Sequence, residues 1–454
     1  MTDRVRWLLA WLALAPSAAI SAGKLVDSDP WWQIRTGQLI WDTGRLPAAD
    51  PFSWTVPGRP WVLNSWGYDV LLAGAHHLGG MAGAALLGAV FAWLALGAML
   101  LLARAWAAPP AAVVVVLVAG TVLFIPWFSS RPHLVDYAAV PLLILLVGLV
   151  LNRARSALAG LVGVVALQVV WVNLHAAATL GVLIVAILCA ADAVTAGRRS
   201  PAWWRYAGLA AASVVGAVVN PYGLDVFTQA SRVRDASATI KEWAPMTLSN
   251  WQDVAMLVVA AAAVAVAIVR RWWGPALIVI ALAVAGATMV RFLPITGAVA
   301  LPLVASAAGL PAVAAVLERR RRWLIAVVSV AVAAMLAPAG AALAQPGRSA
   351  YGTELTAALP SGCKLFNSYV LGGMVILARP DVPVSLDSRS DLYGAALITE
   401  LSSLSVDDIV ARGVTCVLVR STDSRVAGLR TDPRWRLAVE DKAAVVFLRA
   451  SPRL

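Results

Sequence analysis

Residues 24–68 read KLVDSDPWWQIRTGQLIWDTGRLPAADPFSWTVPGRPWVLNSWGY, and the fold turns on what this stretch can do. It is too polar, and too broken by Pro and Gly, to cross a bilayer. Yet it carries six tryptophans: Trp31, Trp32, Trp41, Trp54, Trp61 and Trp66. Tryptophan is favoured where hydrocarbon meets water, because its ring is apolar and its N–H needs a partner. Apolar runs flank the stretch on both sides, so it is expected to lie on the membrane surface. Within it, WWQIRTGQLIWDT reads as a helix opened by Asp29 as N-cap with Pro30 behind it, and stopped by Gly44.

The rest of the chain supports a membrane setting. Of 454 residues, 61% are hydrophobic and only 13% charged, with a mean hydropathy of +0.79. A soluble domain carries roughly 25% charged residues, so the composition defines a polytopic α-helical membrane protein. The net charge of +12 does not point to nucleic acid, because the basic residues sit in short clusters between apolar runs. Arginine greatly outnumbers lysine, which with abundant Ala, Val, Gly and Pro points to a GC-rich bacterial genome. Cys189 falls within an apolar run. Cys363 and Cys416 are expected as buried free thiols, although a bridge between them is chemically permitted outside the cytoplasm. The first apolar run, 7–22, lacks a clear small-residue cleavage site and reads as an uncleaved helix.

A spanning helix needs about 20 mostly apolar residues. On that rule eleven spans are expected, at 5–22, 78–103, 110–128, 134–151, 156–174, 176–195, 203–219, 252–269, 273–290, 293–316 and 323–344. The fifth and sixth nearly touch, so WVNLHA at 171–176 must make a tight turn. One set of alternate loops holds Arg4 and Arg6, Arg104, Arg153 and Arg155, Arg198, Arg199 and Arg205, Arg270 and Arg271, and Arg319 to Arg322. Short basic loops mark the cytoplasmic side, which places the N-terminus inside and the C-terminus outside. Every short polar motif then falls on the outer face.

Two domains follow: a transmembrane module, 1–348, with a first outer loop at 23–68, and a small extracytoplasmic α/β domain, 349–454. In the latter, GCKLFNSYVLGGMVILA, VPVSLDS, VTCVLVR and AAVVFLR read as strands. LYGAALITELSSL and SVDDIVARG read as helices, the second capped by Ser405 and closed near Gly413.

Candidate chemistry begins at Asp27 and Asp29. On an extended backbone the two carboxylates share a face. They can then bind a divalent cation such as Mg²⁺ or Mn²⁺, or one can act as base while the other orients it. The capping role of Asp29 is an alternative compatible with this one, whereas Asp27 has no such structural excuse. Arg131 and His133, in SSRPHL, and Arg291, in MVRFLP, lie at span ends on the expected outer side, where positive-inside statistics disfavour arginine; bidentate phosphate binding would explain them. The alternative is snorkelling to lipid headgroups. His175, in WVNLH beside Asn173, is a polar group at membrane depth and so a site candidate or a satisfied buried histidine. Glu242, beside Lys241, is a second carboxylate or an ordinary loop charge. Asn220, Pro221 and Tyr222 read as turn formers. In the C-terminal domain, Asp387, Arg389, Asp391 and Tyr393 cluster after a strand, as a binding loop or as an internal salt-bridge network.

This arrangement resembles the GT-C superfamily of polytopic glycosyltransferases: many membrane helices, an acidic motif just after the first, and a soluble outer C-terminal domain. The series DSDPWWQIRTG, PFSWTVPGRPW, SSRPH, WVNLHAAATLG, NPYG, KEWAP, VRFLP and DSRSDLYG is similar, more narrowly, to a family of bacterial membrane proteins. The superfamily resemblance implies transfer of a sugar from a polyprenyl-phosphate carrier, with inversion, to a cell-envelope glycan or protein acceptor on the outer face of the plasma membrane. It maps the acidic role onto Asp27 or Asp29 and the phosphate role onto Arg131, Arg291 or His175. A second acidic motif is not evident beyond Asp225, Asp235 or Glu242. Two rival classes stand beside this one. A lipid-linked-sugar transporter would be expected to carry charges in mid-membrane and paired repeats, and neither is visible. A non-catalytic factor that binds lipid-linked glycan would lack the second acidic motif.

Overall fold

The computed structural model describes residues 2–23, 25, 27–152, 156–197, 202–228 and 240–450. Arg153, Arg155, Arg198, Arg199 and Asp235 lie outside these described residues. The chain divides into two compact units. The first comprises 1–23, 85–229 and 242–346; the second comprises 24–84, 230–241 and 347–454.

The first unit is a helical bundle. Its elements are α1 (Asp3–Ala13) and α2 (Ala15–Ala19), followed after the second unit's α3 (Asp29–Thr43) by the later half of α4 (Trp66–Ala105), from residue 85. Then come α5 (Pro110–Phe124), α6 (His133–Asn152), α7 (Ala157–Leu174), α8 (Thr179–Thr195) and α9 (Trp203–Val218). The last set is α10 (Trp251–Val269), α11 (Trp273–Thr288), α12 (Leu293–Ser306), α13 (Pro311–Arg319) and α14 (Arg321–Ala344). Among the described residues nine helices or helical runs are long and apolar enough to cross a membrane. Of the eleven expected, α9 and α11 fall short: each has 16 residues, about 24 Å at 1.5 Å per residue against a hydrocarbon thickness of about 30 Å.

Small residues set the packing of this bundle, as expected where close van der Waals contact replaces a hydrophobic drive. Helix α12 is buried along nearly its whole length. A Cβ on Gly297 would come within 2.7 Å of the Met256 sulfur, and one on Gly120 within 2.5 Å of a Leu301 methyl. The expected tight turn at 171–176 is present: α7 ends at Leu174, His175 is extended, and a 3-10 turn (Ala176–Ala178) leads into α8.

Helix α4 is a single 40-residue run only by hydrogen bonding, because Gly79 and Gly80 interrupt it with non-helical backbone, Gly80 at φ +58°. The expected span at 78–103 begins at this pair, and glycine at a positive φ is what permits the break.

In the second unit α3 forms as expected, closed by Gly44 at φ +64°. The capping expectation for Asp29 needs correction: the helix begins at Asp29 itself with Ser28 before it, and the Asp29 side chain is engaged elsewhere, as described below. Helices α15 (Thr353–Ala357), α16 (Gly372–Ala378), α17 (Ser390–Ser403), α18 (Val406–Ala411) and α19 (Arg425–Thr431) surround a sheet of β1 (Leu365–Asn367), β2 (Cys416–Arg420), β3 (Trp435–Glu440) and β4 (Ala444–Arg449). The strand order is β1-β2-β4-β3, with β1 parallel to β2 and the other pairs antiparallel. Ser405 caps α18 in a reciprocal box with Asp408.

Two strand expectations fail. GGMVILA is helix α16, and its glycines explain why: a Cβ on Gly373 would lie 2.5 Å from the Ser28 carbonyl oxygen and one on Gly372 2.1 Å from that of Leu386. Close helix packing, not sheet pairing, uses that segment. VPVSLDS contributes only an isolated bridge, Val384 to Ser53. Conversely WRLAVE, unread as a strand, forms the edge strand β3. The thiols of Cys363 and Cys416 are buried and free.

The tryptophan stretch also departs from the surface reading in part. Trp32 and Trp61 are buried in the second unit, their rings edge to face at 5.8 Å, while Trp41 remains exposed.

Candidate functional site

Three polar constellations stand out, two in the first unit and one in the second. The first is built from short turns at helix ends. Arg131 sits in the loop leading to α6, Glu242 in a 3-10 turn (Lys241–Trp243) and Arg291 in another (Val290–Phe292). The two turns are tied by backbone bonds, Val290 N–H to the Ala244 carbonyl at 3.1 Å and Met246 N–H to that of Ala287 at 3.1 Å. Arg131 reaches both oxygens of Glu242, the longer contact at 3.4 Å. Arg291 lies 4.9 Å over the Trp243 ring. His133 places Nε2 2.6 Å from the Trp127 carbonyl oxygen.

Charge decides the state of Glu242. Burial works to raise its pKa, but Arg131, with help from His133 and Arg291, outweighs burial and holds it down to about 2. The carboxylate is therefore ionised throughout the physiological range. With two guanidiniums against one carboxylate, the cluster is net cationic and suits an anion. The structure thus brings Arg131, His133, Arg291 and Glu242 together.

The second constellation is one the sequence did not disclose. His175 Nδ1 lies 2.8 and 2.9 Å from the two oxygens of Asp136, and Trp171 donates its Nε1–H to the same carboxylate at 2.7 Å. Asp136 is 2% exposed. Its position near a span end hid its role, because its histidine partner is 39 residues away. The arrangement is that of an imidazole oriented at Nδ1 by a carboxylate.

The third constellation belongs to the second unit. Asp29 accepts from Ser388 Oγ at 2.5 Å and from Trp32 Nε1 at 3.3 Å. One residue on, Arg389 is buried. It donates from Nη1 to Asp50 at 2.8 Å, and from Nε and Nη2 to Asp387 at 2.8 and 2.7 Å. Tyr393 donates to Asp387 at 2.7 Å. Trp61 and Phe52 lie 4.6 and 5.1 Å from the guanidinium. Burial would strip the Arg389 proton, but Asp387 and Asp50 hold its pKa above the usual arginine range. Burial and then the Asp387 charge push the Tyr393 phenol upward.

Of the two readings of this loop, Asp387 and Arg389 form the internal salt-bridge network: with Asp50, all three charged side chains are 0% exposed and bonded to one another. Asp391 is exposed in the first turn of α17. Asp27 is half-buried and makes no hydrogen bond or ion pair with the described residues, so its carboxylate is open in a way that of Asp29 is not. Asp225 closes a 3-10 turn and is exposed.

A divalent cation at Asp27 and Asp29 was expected as an option. Among the described residues no group of three or more His, Cys, Asp or Glu side chains is placed to hold a metal, and Asp29 is already engaged by Ser388 and Trp32. This donor set does not fit a resident Mg²⁺ or Mn²⁺.

No protein-family model matches the chain, and comparison with curated proteins gives no match. Solved structures do match. The archaeal oligosaccharyltransferase AglB from Archaeoglobus fulgidus, in complex with an inhibitory peptide and a dolichol-phosphate, is 14% identical. It superposes with a TM-score of 0.62 over 92% of this chain and 70% of that one. ArnT from Cupriavidus metallidurans is 13% identical in the apo state, with a TM-score of 0.60 over 98% of both chains. ArnT bound to undecaprenyl phosphate gives 0.57 over the same shares. The chain is a multi-pass membrane protein with the GT-C fold, as its motifs led us to expect.

Proposed function

We propose that the protein is a membrane glycosyltransferase that moves a sugar from a polyprenyl-phosphate carrier to an acceptor on the outer face of a bacterial plasma membrane, where its C-terminal domain resides. The observation that carries this reading is the net-cationic cluster of Arg131, Arg291 and His133 around Glu242, on a fold whose solved examples include proteins holding dolichol-phosphate and undecaprenyl phosphate.

The chemistry is an inverting displacement. An acceptor hydroxyl attacks the anomeric carbon, the bond to the carrier phosphate breaks, and the phosphate leaves as an anion. Arg291 and Arg131 neutralise the charge that develops on the leaving phosphate. Glu242 fixes the Arg131 guanidinium. His175, aimed by Asp136, offers Nε2 to the same phosphate. Asp27 takes the acceptor's proton as general base. Asp29, held by Ser388 and Trp32, positions the start of α3 and thereby Asp27 two residues before it. Asp391, exposed at the opening of α17, is the acceptor-side group. The acceptor is a cell-envelope glycan or protein.

The test is turnover of a polyprenyl-phosphate-linked sugar by the full-length protein, compared with Asp27→Asn, Asp29→Asn and Arg291→Gln. Asp27→Asn is expected to lose at least a hundredfold in kcat and Arg291→Gln to raise KM for the carrier. Wild-type rates in both aspartate variants would end the catalytic reading. Tight carrier binding with no turnover in any form would favour instead a non-catalytic glycan-binding factor, a reading that draws on the engagement of Arg131 by Glu242.

A further inference from the structure

The first unit contains a cavity of about 550 Å³ between α1, the later part of α4, α6 and α7, within the size range of ligand sites. Its wall is apolar and aromatic, with Trp11, Leu94, Leu142 and Val170 among the residues that form it. The wall is fixed in advance. Trp11 and Trp93 stack at 4.2 Å, 8° from parallel, and satisfy each other's N–H through reciprocal bonds to backbone carbonyls at 3.4 and 3.1 Å. Trp11 lies flat because Gly97 has no side chain there: a Cβ would stand 2.7 Å from the indole nitrogen.

The charged groups on this cavity are Arg4 and Arg104. Arg104 donates to Asp3 at 2.9 Å and lies 5.4 Å over the Trp7 ring. Arg4 makes no hydrogen bond or ion pair with the described residues. One carboxylate against two guanidiniums leaves this part of the wall cationic, directly beside a hydrocarbon-lined space. Arginine in such a place matches a phosphodiester, which it can bind bidentately.

We propose that the cavity binds one acyl chain of an anionic glycerophospholipid, with Arg4 and Arg104 gripping the headgroup phosphate. A polyprenyl-phosphate carrier shares the phosphate, and titration with undecaprenyl phosphate separates it from a phospholipid. Two other ligand classes fit less well. A zwitterionic phospholipid would bring an ammonium toward them. A polar soluble ligand would find almost no hydrogen-bonding groups on the wall. Trp171, which donates to Asp136, also lines the cavity, but binding of a phospholipid here requires no turnover.

The experiment is native mass spectrometry of the delipidated full-length protein titrated with palmitoyl-oleoyl phosphatidylglycerol, the corresponding phosphatidylcholine, or undecaprenyl phosphate. One phosphatidylglycerol is expected to bind at least tenfold more tightly than phosphatidylcholine. Arg4→Gln, which breaks no contact in the fold, should weaken it at least fivefold. Ala138→Trp, which fills the cavity and leaves both arginines in place, should abolish it. Equal affinity for the two phospholipids, or unchanged binding in both variants, would overturn the proposal. So would undecaprenyl phosphate displacing phosphatidylglycerol and losing its own affinity in Arg4→Gln.

Discussion

Asp136 and His175 meet at 2.8 Å across two helices of the first unit, and the Trp171 indole closes on the same carboxylate at 2.7 Å. The carboxylate therefore has two fixed donors and the imidazole one fixed orientation. Removing a hydrogen bond to a charged group costs about 1.5–3 kcal/mol, roughly ten- to a hundredfold in a rate or binding constant. Asp136→Asn is expected to lower kcat/KM for a lipid-linked sugar by that factor. His175→Gln should do as much, and the double variant no more than either single change. Additive losses, measured by the same assay, would separate the two residues and remove Asp136 from any positioning role.

Glu242 gives a pH signature. Its folded-state pKa is held near 2, below the usual carboxylate range, by Arg131 first among its charged neighbours. A depressed carboxylate contributes stability that is present above its unfolded pKa and lost as pH falls through the folded one. The window thus runs from about pH 4.5 down to about 2. The Arg131 and Glu242 side chains are 19% and 29% exposed, so solvent screening trims the contribution to roughly 1–2 kcal/mol. Thermal unfolding in detergent should show a loss of that size across this window in the wild type. Glu242→Gln should be less stable at pH 7 and lack the step. A wild-type profile as flat as the variant's would contradict the ion pair.

How far these features could be read from the sequence depends on the distance over which each is decided. Helix α3, with Pro30 behind its start and Gly44 at its end, is local and was legible. So were nine of the eleven expected apolar spans, whose length and composition act within 20 residues. The break at Gly79–Gly80 was local too, but a GG pair inside an apolar run gives no sign of which φ it adopts. Helix α16 was misread because GGMVILA has strand-like composition; only its approach to the backbone at Ser28, more than 300 residues away, makes a helix the better solution. The site divides in the same way. Arg131, Arg291 and Glu242 were visible as charges in unlikely places, and their meeting was not. Ser388 gave no signal at all, since it matters only through Asp29. Trp32 and Trp61 were assigned to the membrane surface by residue type, whereas Arg389 draws Trp61 into the second unit as a stacking partner.

Close packing in the second unit can be tested at Gly37. A Cβ there would lie 2.1 Å from the Asp69 carbonyl oxygen and 2.7 Å from the Ala73 methyl, so α3 cannot keep its seat against the start of α4. Overpacking typically costs about 1–3 kcal/mol, and backbone yields less readily than a side chain. Gly37→Ala is expected to lower the thermal midpoint of the full-length protein by several degrees. Gly340→Ala in α14, where nothing lies within 4 Å, should leave it unchanged or slightly raised. Equal midpoints for both variants would contradict this helix contact.

The buried network around Arg389 makes the strongest demand on its residues. Arg389, Asp50 and Asp387 are 0% exposed at the side chain, so each charge depends on the others for the solvation that water would supply. Breaking a buried pair by removing one partner is typically worth about 3–5 kcal/mol, because the remaining charge is left uncompensated. Arg389→Met leaves two carboxylates so exposed to their own repulsion and is expected to reach or exceed that range, read as a fall in thermal midpoint and faster proteolysis of the second unit. Asp50→Asn keeps the shape and the bonds to the Phe52 and Ser53 backbone N–H groups only in part, and should cost less. The loop carrying Arg389 also carries Ser388, whose hydroxyl holds Asp29. In Arg389→Met that hold is released, and turnover should fall even at temperatures where the variant stays folded. Full activity in a folded Arg389→Met protein would detach the network from the acidic site and leave it a purely structural knot.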